Sequence, residues 1–78
     1  MNNDLIIKVQ KKMIDLACAG KRATSSIYNL LPLDVSTLEE SFREECGNFS
    51  LTLCTQTLSK HLIPTYFRLD IKYIPEAI

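Results

Sequence analysis

The sequence predicts an α+β domain in which three N-terminal helices precede a C-terminal β-hairpin. Three observations carry this expectation. Apolar residues recur at three- and four-residue steps from Asp4 to Ala19, two overlapping capping-box patterns start at Ser36 and Thr37, and from Phe49 onward the apolar period changes to two. A chain of 78 residues has interior for one core, so residues 1–78 are read as a single domain.

In the first stretch Ile6, Val9, Met13, Leu16 and Ala17 form an apolar stripe, with Lys8, Lys11, Lys12 and Asp15 mostly on the other face. Gly20 is a suitable stop, and Lys21 and Arg22 beside it favour the negative end of the helix dipole. Thr24 or Ser25 can cap a short second helix that buries Ile27, Leu30 and Leu31 and ends at Pro32. A third helix begins near Ser36, has Val35, Leu38 and Phe42 as its apolar residues with Cys46 as a further candidate, and stops at Gly47-Asn48.

The period then changes. Phe49, Leu51 and Leu53 alternate with Ser50, Thr52 and Cys54, which predicts a strand from Phe49 to Thr55. Leu51, Cys54, Leu58 and Leu62 also fit a helical spacing, so residues 55–63 are open between loop, strand and helix; Thr57 to Pro64 is taken as a loop. Phe67, Leu69, Ile71 and Tyr73 alternate with Arg68, Asp70 and Lys72 in a second strand, which Pro75 ends.

This order, together with the pattern of residues 23–47, resembles a winged helix-turn-helix domain. Ile27, Leu31, Leu33, Leu38 and Phe42 occupy the buried positions of such a motif, and Asp34-Val35-Ser36-Thr37-Leu38 is similar to the entry of a recognition helix. The chain departs from the usual pattern at Tyr28, where a small residue is common, and at Pro32 in the turn. The resemblance implies a small transcriptional regulator that binds double-stranded DNA, possible as a homodimer. Ser36, Thr37 and Arg43 then lie nearest the bases, Lys21 and Arg22 grip the flanking backbone, and Lys60 and His61 sit on the wing.

Charge supports a different reading. The formal net charge is zero, but residues 34–50 carry Asp34, Glu39, Glu40, Glu44 and Glu45 against Arg43 alone, a net of −4. Phosphate contacts need clustered Lys and Arg, and a row of carboxylates is repelled by the phosphates. The alternative is therefore a protein-interaction module, an adaptor or inhibitor, that sets Glu39, Glu40 and Glu44 of the third helix against a basic partner.

The sequence offers little to catalysis or metal chemistry. Cys18, Cys46, Cys54 and His61 are a possible zinc set by type, but no pair has close ligand spacing, so free buried thiols are expected and no metal or cofactor. No nucleophile, base and orienting group can be assigned together, and a chain this short is expected to build little of a pocket, so an enzyme is not expected. An odd number of cysteines, an N-terminal stretch interrupted by lysines and no long apolar run point to a cytoplasmic protein without a membrane segment.

Overall fold

The computed structural model describes residues 3–56 and 66–77. Its elements are helix α1 (Asn3–Ala19), strand β1 (Ala23–Leu30), helix α2 (Pro32–Ser41), strands β2 (Glu45–Cys46), β3 (Phe49–Gln56) and β4 (Tyr66–Tyr73), and a final 3-10 turn (Pro75–Ala77). The strands form one antiparallel sheet in the order β1-β4-β3-β2. The α+β class stands. The layout of three N-terminal helices before a hairpin does not, because the segment expected to be the second helix is β1 and lies at the edge of the sheet.

The error has a physical cause in β1. Ala23, Ser25 and Ile27 face inward opposite Tyr73, Ile71 and Leu69 at the ordinary two-residue period. Asn29 then adopts a left-handed backbone (φ +60°), and the register shifts so that Leu30 pairs with Phe67. One extra residue in a bulged strand returns the next side chain to the same face. Ile27 and Leu30 are therefore both buried at a spacing of three, which imitates a helix.

The end of β1 leads directly into α2, where Pro32 starts a helix instead of ending one. Its missing N–H costs nothing at the first helical position. Asp34 Oδ2 accepts the Leu31 backbone N–H at 2.9 Å, which is one half of a capping box; the Leu31 side chain has no acceptor to supply the other half. The capping-box patterns at Ser36 and Thr37 lie inside this helix and cap nothing: their hydroxyls donate back to the carbonyls of Pro32 and Leu33. The helix ends at Ser41, short of the expected Gly47-Asn48 stop, as Phe42 turns extended and packs half-buried against the core. Gly47-Asn48 instead forms the two-residue turn between β2 and β3, with Gly47 (φ +60°) at the first central position, where such a turn favours glycine.

The expectations for α1 and for the last two strands hold closely, while the loop expected over residues 57–64 lies outside the described residues. The α1 helix spans Asn3–Ala19 and stops at Gly20, whose positive φ (+71°) lets its N–H reach back to the Leu16 and Ala17 carbonyls. Leu5, Val9 and Leu16 are its buried residues, and Ile6 is only half-buried. The strands expected over Phe49 to Thr55 and Phe67 to Tyr73 are β3 and β4.

Both helices cover one face of the sheet. Val9 and Leu16 join Ile27, Leu38, Leu51, Leu69 and Ile71 in a single cluster. Leu69 and Ile71 sit at its centre because β4 is an inner strand, paired on both sides. The other face has no helix over it among the described residues. It carries Thr24 and Ser26 of β1, Thr52 and Cys54 of β3, and Arg68, Asp70 and Lys72 of β4, which is the polar half of a two-residue alternation. Among the described residues no helix is long and apolar enough to cross a membrane.

Candidate functional site

The described residues assigned to a DNA surface lie on separate segments of the chain. Thr37 is buried and its hydroxyl is bonded to the Leu33 carbonyl, while Ser36 is exposed one position earlier on α2. Lys21 and Arg22 lie in the turn between α1 and β1, and Arg22 pairs with Glu76 of the final turn. Arg43 is exposed in the linker after α2. Lys60 and His61 lie outside the described residues. Leu31 and Leu33, which a helix-turn-helix needs inside, are 42% and 78% exposed.

The acidic residues occupy a more coherent place. Glu39 and Glu40 are exposed on the last turn of α2, and Glu44 is exposed at the end of the linker, where its carbonyl accepts the Leu51 N–H at 2.7 Å. Between this strand of chain and the sheet lies an open pocket of 560 Å³. Its apolar floor is Leu38 and Phe42 from the α2 side and Leu51, Leu53 and Leu69 from the sheet. Glu39, Arg43 and Glu44 stand at its rim. The volume falls within the ordinary range for ligand sites, roughly 300–1,000 Å³, and exceeds what a chain of this length was expected to build.

The pocket follows from the strand order. The α1 helix packs on β1 and β4 and α2 packs on β4, so the inner face of β3 is left at the margin of the helical layer. Leu51 is buried there, whereas Leu53 is only half-buried. Sequence reasoning found the acidic rim from charge alone. It missed Leu51, Leu53 and Leu69 as a floor, because their position beside α2 depends on long-range pairing.

A second cluster lies on the open face of the sheet. Ser26 Oγ donates to Asp70 Oδ1 at 2.6 Å, and Arg68 Nη2 donates to Asp70 Oδ2 at 3.0 Å. Arg68 Nε is within ion-pair distance of Oδ1, at 3.0 Å, but is not aligned to donate to it. The Asp70 bond, and secondarily Cys54, holds the Arg68 guanidinium above its ordinary pKa. This carboxylate accepts from Ser26 of β1 and Arg68 of its own strand, so the cluster ties β1 to β4.

All three cysteines are free. Cys18 and Cys46 are exposed and Cys54 is half-buried, which corrects the expectation of buried thiols. Among the described residues no three His, Cys, Asp or Glu side chains are grouped to hold a metal ion. No protein-family model, no curated protein and no solved structure matches the chain.

Proposed function

We propose that this domain is a protein-interaction module that docks a basic partner through the C-terminal end of α2 and the linker behind it. The observation that carries this reading is the coincidence of a rim with two carboxylates, Glu39 and Glu44, against the single cation of Arg43, with an apolar floor in one open pocket. Polar rims around apolar anchoring pockets are the general plan of protein interfaces. The reading as a DNA-binding regulator rested on the order of helices and strands, and that support is gone.

The test is affinity capture with nuclease-treated extract, comparing the wild-type protein with the variant Glu39→Lys/Glu44→Lys. Both side chains are exposed, so charge reversal leaves the core intact. The expected result is a retained set of basic proteins that the variant loses and that elutes as salt is raised. Equal retention by both proteins, or a gel shift of random duplex DNA at micromolar protein in low salt, overturns the proposal.

A further inference from the structure

The outer edge of β3 deepens this reading, on which the following inference rests. The β2 strand is only two residues long and pairs with Phe49 and Ser50, and Glu44 adds one bond to Leu51. Beyond Leu51, among the described residues, β3 has no partner on that side. Parity shows which groups are exposed there. The Leu51 N–H points away from β4, toward Glu44. In a strand, the N–H and C=O of a residue share a side and alternate every residue. The backbone groups of Leu53 and Thr55 therefore point outward as well, while Thr52, Cys54 and Gln56 turn theirs to β4.

This edge runs along the pocket described above, since Leu51, Thr52 and Leu53 line it. A strand laid against the edge places every second side chain on the helix-covered face, above the floor formed by Leu38, Phe42 and Leu53. Its backbone finds the Leu53 and Thr55 groups, and its positions two residues away, on the same face, meet the carboxylates of Glu39 and Glu44. We infer that the groove binds an extended basic peptide segment of a partner protein, added to the sheet at the outer edge of β3, with an apolar side chain in the pocket and lysine or arginine against the α2 carboxylates. Strand addition takes its affinity from backbone hydrogen bonds and its specificity from pockets for alternate side chains. Glu39 and Glu44 outnumber Arg43 at the groove, within a segment of net −4, and so favour a basic occupant.

The experiment screens a displayed library of random dodecapeptides against the full chain and then uses the best enriched peptide, synthesised and labelled, as the probe. Enriched sequences are expected to carry lysine or arginine two residues from an apolar residue, on the same strand face. Thr55→Pro removes an outward N–H without touching a bond to β4, and edge strands accept proline. It is expected to weaken the probe by about tenfold or more, as is methylation of alternate backbone nitrogens of the probe, while Thr55→Val keeps full affinity. The methylated probe decides the matter even if Thr55→Pro fails to fold. Unchanged binding of the methylated probe overturns strand addition while leaving the acidic docking surface intact, provided Glu39→Lys/Glu44→Lys still abolishes binding. Enrichment of acidic sequences or of sequences without that two-residue spacing, or a wild-type dimer that Thr55→Pro converts to monomer, also overturns the inference. Loss of the charge-reversal effect, in contrast, removes the proposed function itself.

Discussion

The backbone N–H of Asn29 donates to Gln56 Oε1 at 2.6 Å, so a side chain from β3 closes the bulge in β1 across the end of β4. The residue that a bulge inserts has no partner in the ladder. Gln56 supplies one from two strands away, and its amide nitrogen lies 3.5 Å from Asn29 Oδ1.

Stability at this bulge is expected to depend on backbone hand more than on side-chain identity. Asn29→Gly keeps stability within about 0.5 kcal/mol, because glycine accepts the left-handed conformation, whereas Asn29→Val loses about 1–2 kcal/mol. Gln56→Leu loses about 0.5–1 kcal/mol, since the bond is exposed. Urea denaturation of the three variants checks the order.

The start of α2 makes a sharper test of how this chain folds. Asp34→Ala is expected to cost about 1 kcal/mol through loss of the Leu31 N–H acceptor. Ser36→Ala is expected to change stability by less than about 0.5 kcal/mol, because Ser36 is exposed and only bonds back to Pro32. The reverse order, measured by denaturation, places the helix start at Ser36.

On the open face, Ser26→Ala removes a 2.6 Å bond to a carboxylate that joins β1 to β4. Bonds to charged acceptors contribute more than neutral ones, and a loss of about 1–2 kcal/mol is expected in thermal or urea unfolding. Ser25→Ala on the inner face removes no such bond and serves as the control.

Thiol labelling reads the burial pattern directly. Cys18 and Cys46 are expected to react at once with a disulfide reagent under native conditions, and Cys54 more slowly, reaching their rate only in denaturant. Three equally fast thiols contradict the packing of β3 against β4.

The strands with unbroken alternation, β3 and β4, were legible in the sequence because the two-residue period is a local property. So was α1, whose stripe runs for the length of the helix. The β1 strand was not legible: its bulge sets Ile27 and Leu30 three apart, and Ser25 carries the inner position before them without an apolar signal. Pro32 compounded this, since a proline marks a helix start as well as a helix end. Within the candidate site, Glu39 and Glu44 stood out by charge. Leu53 did not, because whether it is covered depends on β3 lying beside the strand edge, and that order is fixed only when β4 inserts between β1 and β3.

The shortness of β2 has one more consequence. An open strand edge invites identical molecules to polymerise side by side, and proteins suppress this with charge. Two copies meeting along β3 bring Glu39 and Glu44 of one toward the same carboxylates of the other. On the proposed function, the rim sorts its visitors, admitting a chain of opposite sign and repelling its own kind. Its self-avoidance is expected to fade as salt rises and the carboxylates lose sight of each other.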